Sequence, residues 1–196
     1  MRKVIFDIDD TAWGFNDRIC NILGIDINKI KNFYIKNNEE LDENQKKLLL
    51  EKYSDSKMFR DIKWYDGFDT IFELEQLNCE VYINSNCNTQ DVKEAKHIEL
   101  VDKIGFSDEK VILNIVEDSK HKNLDNDIYI LVDDSPFNIA KSTAKYNIVL
   151  RKPWNTSEYG LKTMENKEVI FCDSFNEILE TIRKILKNNL EAEEHD

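Results

Sequence analysis

Short apolar runs punctuate the chain at regular intervals. Val4-Ile5-Phe6 is the strongest, and Glu80 to Ile83, Ile128 to Val132, Ile148 to Leu150 and Val169 to Phe171 follow it. Each is a near-continuous apolar or β-branched stretch, the pattern of a strand buried on both faces of a parallel sheet. Helical patterns lie between them. Asp66 precedes Gly67 to Leu77, where Phe68, Ile71, Phe72 and Leu74 share a face. Asn88 is placed to cap a helix running to about Leu100, and Ser135-Pro136 combines a hydroxyl cap with proline at the first helical position. Ser174 and Glu177 form a capping box ahead of the helical repeat Ile178, Leu179, Ile182, Ile185, Leu186. Strands alternating with helices predict an α/β fold, a Rossmann-like parallel sheet flanked by helices.

One segment breaks the alternation. Residues 14–63 contain helical patterns, one opened by Asp42 with Gln45 and running to about Tyr53, but no strand pattern. This is too long for a simple crossover and reads as a small helical cap inserted into a single domain spanning residues 1–196. Residues 191–196 read as a polar, frayed tail.

Composition narrows the function. A chain of 196 residues with 41% hydrophobic residues can bury a core without disulfides or structural metals. A net charge of -12 without a basic run argues against binding a nucleic-acid polymer, but permits small anions where a cation offsets the field locally. Cys20, Cys79, Cys87 and Cys172 lack metal-ligand spacing and read as reduced, buried thiols. The N-terminal apolar run is cut short by acids, and no stretch approaches the roughly 18 apolar residues of a membrane span. A cytoplasmic protein is expected, away from membranes, with monomer and homodimer both open.

The chemistry lies at the strand ends, where open α/β sheets bind ligands. Asp7, Asp9, Asp10 and Thr11 follow the first strand; Asn84, Ser85 and Asn86 follow the second; Asp133, Asp134 and Ser135 follow the third, with Lys120 and Lys122 upstream of it. Carboxylates from two strands suit a hard divalent cation such as Mg2+. With a lysine, the cation would offset repulsion between a phosphate and a carboxylate nucleophile, Asp7. Asp9, two residues on, is spaced to protonate a leaving oxygen and then activate water. Ser85 and nearby N–H groups can hold the nonbridging oxygens.

The set V-I-F-D-I-D-D-T (Val4 to Thr11), I-N-S-N (Ile83 to Asn86) and L-V-D-D-S (Leu131 to Ser135) resembles the haloacid dehalogenase-like phosphatases in order and strand context. The resemblance implies Asp7 as nucleophile and metal ligand, and Asp9 as acid/base that also offers its main-chain carbonyl to Mg2+. It implies Ser85 as phosphoryl ligand, and Asp133 and Asp134 as completing the metal site, with Asp134 the direct ligand. It also implies a catalytic lysine, Lys120 in preference to Lys122. Within that superfamily, Met58 to Phe68 and Arg151 to Asn155 look like the 5'(3')-deoxyribonucleotidase branch, including its bacterial and phage-type members. Asp10 and Thr11 depart from that branch's usual residues.

That likeness implies a nucleoside monophosphate substrate, with Phe15 against the base. Trp13, Phe15, Trp64, Tyr65 and Trp154 could line an aromatic slot or simply pack cap against core. Trp13 and Phe15, directly after the catalytic loop, have the better claim, with Asn86, Lys120 and Lys122 as further substrate contacts. A sugar-phosphate phosphatase and a non-catalytic regulatory protein of the same fold are the alternatives. His97 reads as a surface residue and His121 as a loop residue.

Overall fold

The computed structural model describes residues 1–116 and 127–193, with side chains through residue 189. Six strands are present among the described residues: β1 (Arg2–Phe6), β2 (Cys79–Cys87), β3 (Val111–Ile115), β4 (Ile128–Val132), β5 (Tyr146–Leu150) and β6 (Val169–Cys172). All pairings are parallel, in the order β3-β2-β1-β4-β5-β6. The order reverses at β1, whose neighbours are β2 and β4, so a crevice opens there at the carboxyl ends. Phe6 is level with Ile83 of β2 and Val132 of β4, which brings the residues after all three strands to one place.

Alternation along the strands divides the core between the two faces. Val4 and Phe6 pack with Phe68, Ile71 and Leu74 and with Ile178, Leu179, Ile182 and Leu186 of α7 (Phe175–Glu193). Ile5 points the other way, into a smaller cluster with Leu131, Ile139, Val149 and Met164.

Three local features differ from the sequence expectations. β3 is a sixth strand on the sheet edge. Its pattern is weakened by Asn114, whose amide donates to Asn84 Oδ1 of β2 at 3.0 Å, and by Ile115, which is exposed. Phe68–Leu77 winds as a 3₁₀ helix. Its apolar residues Phe68, Ile71, Leu74 and Leu77 recur every third position, and three residues per turn stack such a repeat in one row. Thr89 rather than Asn88 caps the next helix, its hydroxyl accepting from Val92 N at 3.2 Å. That helix runs over Gln90–His97 and continues as a wider π turn over Ile98–Ile104.

Between β1 and β2 lie α1 (Phe15–Leu23) and α2 (Glu43–Tyr53), with short 3₁₀ turns around them. Both halves of the capping box at Asp42 and Gln45 form. The helix Gln90–His97 is α3; α4 (Pro136–Lys141), α5 (Pro153–Thr156) and α6 (Glu158–Thr163) precede α7. All four cysteines are buried and free. Among the described residues, no helix is long and apolar enough to cross a membrane.

Candidate active site

The main chain after β1 forms a tight loop. Asp7 N continues the ladder to Val132 O at 2.8 Å, and the amides of Thr11, Ala12 and Trp13 converge on Ile8 O at 3.3, 2.8 and 3.3 Å. Asp10 takes a left-handed conformation at φ 58°. Its carboxylate is held by Asn16 N at 2.9 Å and Asn16 Nδ2 at 2.6 Å, while Tyr53 on α2 donates to Asn16 Oδ1 at 2.6 Å. Burial raises the Asp10 carboxyl to about 7, against the opposing charge of Lys152.

Asp7, Asp133 and Asp134 each bring a carboxylate oxygen to one spot, all within 4.8 Å of one another and all buried. Asp133 is fixed by Ser135 N at 2.9 Å and by Asn138 Nδ2 at 3.0 and 3.1 Å. Trp154 Nε1 donates to Asp134 Oδ2 at 2.8 Å. Three converging buried carboxylates repel one another unless a cation joins them, and an all-oxygen donor set suits a hard divalent ion. The Asp9 side chain stays outside this cluster: Oδ1 accepts from Trp13 Nε1 at 3.1 Å and Oδ2 from Lys96 Nζ at 2.5 Å. Burial raises its pKa; the Lys96 charge opposes the rise and the Asp7 charge adds to it.

Lys96 was not anticipated. Its ammonium also donates to Ser85 Oγ at 3.0 Å and Asn86 O at 2.8 Å and lies 4.9 Å from the Phe59 ring centroid, with 1% of its side chain exposed. A signal existed in the sequence: Val92, Ala95, Lys96, Glu99 and Leu100 occupy one helical stripe, so a lysine stands where an apolar residue belongs. Lys120, Lys122 and His121 lie outside the described residues. His97 is on the surface, against Asp108.

A cavity of about 240 Å³ opens over these groups. It is lined by Asp7, Asp9, Asp10, Ser85, Asn86, Asp134 and Ser135 from the strand ends, by Asn88, Asn138 and Trp154, and by Ile30, Phe33, Tyr34, Ile35, Leu50 and Tyr53 from residues 14–63. The expectation that Trp13 and Phe15 line this space is corrected. They are 2% and 0% exposed and absent from its walls, because the turn around Ile8 O folds the chain back beneath Asp9. Phe15 stacks on Phe59 at 4.6 Å and meets Tyr53 edge-on at 4.8 Å. Trp64 and Tyr65 are likewise outside the cavity walls. The aromatic residues on its walls are Phe33, Tyr34, Tyr53 and Trp154, and Phe137 backs Tyr34 with its ring 4.6 Å away.

Neither family models nor curated proteins return a match to this sequence. Solved structures do. A candidate β-phosphoglucomutase from Thermotoga maritima aligns with a TM-score of 0.50 at 17% identity, over 94% of this chain and 100% of that one. A candidate haloacid dehalogenase-like hydrolase from Burkholderia xenovorans LB400 aligns with a TM-score of 0.50 at 14% identity, over 91% of this chain and 94% of that one. A family IA, variant 3 HAD hydrolase from Entamoeba histolytica HM-1:IMSS gives 0.47 at 24% identity, over 95% and 100%. The two alignments at 0.50 show the shared fold. The chain has the Rossmann-like α/β fold of haloacid dehalogenase-like hydrolases.

Proposed function

We propose that the protein is a Mg2+-dependent phosphomonoesterase that hydrolyses nucleoside monophosphates through an aspartyl phosphate on Asp7. One observation carries the reading. The Asp7, Asp133 and Asp134 carboxylates converge, Asp7 and Asp134 line a cavity together with Ser85 of β2, and Lys96 on α3 donates to the Ser85 hydroxyl.

In this reading Asp7 attacks phosphorus as the substrate P–O bond breaks, and Asp9 gives its proton to the leaving oxygen. Asp9 then takes a proton from water, whose oxygen attacks the phosphoryl group and frees Asp7. Ser85 and Lys96 hold the nonbridging oxygens while charge spreads over them. Asp7, Asp134 and the main-chain carbonyl of Asp9 would hold Mg2+, which supplies charge neutralisation and fixes the phosphoryl orientation. Residues 14–63 act as a small cap that keeps bulk water away during the first step.

Phe33 and Tyr34 support a planar base as the leaving group's distal part, with Asn86, Asn88 and Asn138 offering hydrogen bonds. A compact sugar phosphate is the competing substrate. The small cavity favours it, since ligand pockets commonly reach roughly 300–1,000 Å³.

The deciding experiment measures phosphate release from ribo- and deoxyribonucleoside 5'- and 3'-monophosphates and from sugar phosphates, with and without Mg2+. Wild type and Asp7→Asn are compared. Mg2+-dependent release that favours nucleotides and vanishes in Asp7→Asn is expected. Release only from sugar phosphates retains the mechanism and replaces the substrate. Silence on every substrate favours a non-catalytic protein.

A further inference from the structure

The three N–H bonds of the Lys96 ammonium are all committed, to Asp9 Oδ2, Ser85 Oγ and Asn86 O. A substrate oxygen takes one only by exchange, and a hydrogen bond weakens steeply as it loses alignment. An aromatic ring is placed to hold the charge during that exchange. The ammonium lies over Phe59, 4.9 Å from the ring centroid, and Phe59 is 2% exposed. The ring is itself held, stacked on Phe15 at 4.6 Å and edge-on to Trp13 at 6.1 Å. Its main chain is anchored just beyond. Asp61 N donates to Glu99 Oε1 at 2.8 Å, and Lys103 Nζ bridges Glu99 at 2.6 Å and Asp61 Oδ1 at 3.0 Å. Lys96 and Glu99, three residues apart, lie on one side of their helix. That side therefore meets the returning end of residues 14–63 at two successive points, the Phe59 ring and the Asp61 amide.

We infer that Phe59 is a positioning residue whose π face holds the Lys96 ammonium at the phosphoryl site while the hydrogen bonds of that ammonium change partners. The inference rests on the proposed phosphatase reading and deepens it. A ring attracts a cation through its quadrupole, whichever way each N–H points, so the attraction survives the exchange. It is strongest where water is excluded, and both groups are buried. Phe59 is absent from the cavity walls, so it acts on the reaction through Lys96 and not on the substrate. The ring also makes the insertion part of the lysine's site. Residues 14–63 contribute the π face, and the core contributes the charge and its hydrogen-bond acceptors.

The test replaces Phe59 by 4-fluoro-, 3,5-difluoro- and 3,4,5-trifluorophenylalanine. These keep the shape of the ring while each fluorine draws electron density from its face. With 4-nitrophenyl phosphate and Mg2+, log kcat/KM should fall in step with the number of fluorines, by about tenfold from the natural ring to the trifluoro ring. The same series in Lys96→Met should be flat, because the cation is gone. Phe106 is equally buried at 2% exposed, and it packs against Phe72 at 4.6 Å and Phe68 at 6.2 Å. Fluorination there should leave kcat/KM within about twofold of wild type. A flat series at Phe59, an equal fall at Phe106, or a slope that persists in Lys96→Met overturns the role of the ring, while hydrolysis by wild type sustains the phosphatase reading. Failure of wild type to hydrolyse the ester with Mg2+ overturns both.

Discussion

Lys96 places a charge where its side chain is 1% exposed, a costly arrangement unless a counter-charge and hydrogen-bond acceptors answer it. Asp9, Ser85 and the Asn86 carbonyl do so, and a bound phosphoryl group would add to them. Lys96→Met keeps the shape and removes the charge. Turnover of 4-nitrophenyl phosphate should fall at least about a hundredfold, the scale of a lost charge-stabilising donor, with the far-UV spectrum unchanged. Retention of more than a tenth of the activity would return the lysine's role to Lys120 or Lys122. Asp10 makes a separate prediction. Its carboxyl ionises near 3.8 ordinarily but near 7 in the fold, so the native state binds the extra proton across that window. The contribution of Asp10 to stability is then full below the lower value and is lost as pH rises through the higher one, by up to about 4 kcal/mol. In EDTA, the urea midpoint of wild type should drop more between pH 5 and 8 than that of Asp10→Asn; parallel drops would contradict the assignment. The contrast with the sequence reading has a physical basis. Asp7, Ser85, Asp133 and Asp134 were legible because each lies within two residues of the carboxyl end of a buried strand, where chain direction fixes side-chain placement. Lys96 was not, because its contacts lie 87 and 11 residues away across a helix–strand packing that spacing alone does not encode.

At the level of elements, α5 acts as a bracket behind the acidic cluster. Asn155 is fully buried; its amide donates to Leu150 O at 2.9 Å and Asp134 O at 3.1 Å, and its carbonyl accepts from Lys152 N at 2.9 Å. Asn155→Ala strands those groups without water and should cost about 2–3 kcal/mol. For a chain of this size that corresponds to a fall in Tm of roughly 5–10 °C, readable by calorimetry. A fall below about 2 °C would mean that the bracket is dispensable. The helices that the sequence disclosed best were those with side-chain caps, at Asp42 and Ser135, since a cap is a local interaction written in adjacent residues. The 3₁₀ winding of Phe68–Leu77 and the π turn after His97 were hidden, because the choice of winding depends on which row of side chains the sheet accepts.

For the whole molecule, the proposed cation site would tie stability to a divalent ion. Asp7 extends β1, Asp133 and Asp134 extend β4, and their mutual repulsion opposes bringing those strand ends together. A cation bound only by the native state stabilises it by about 2.7 kcal/mol at a hundredfold excess over Kd. That should raise Tm by roughly 5–10 °C for a chain of this length. The dependence on individual residues is more diagnostic than the shift itself. Asp134→Asn and Asp7→Asn each remove a ligand charge and should abolish most of the Mg2+-induced rise. Asp9→Asn should retain it, because the Asp9 carboxylate faces Trp13 and Lys96 and only its main chain is offered to the ion. Thermal melts of wild type and the three variants, with saturating Mg2+ and with EDTA, separate these outcomes without reference to turnover. Equal shifts in wild type and Asp134→Asn would place the ion away from the cluster. Loss of the shift in Asp9→Asn would mean that its side chain swings from Lys96 to the metal on binding.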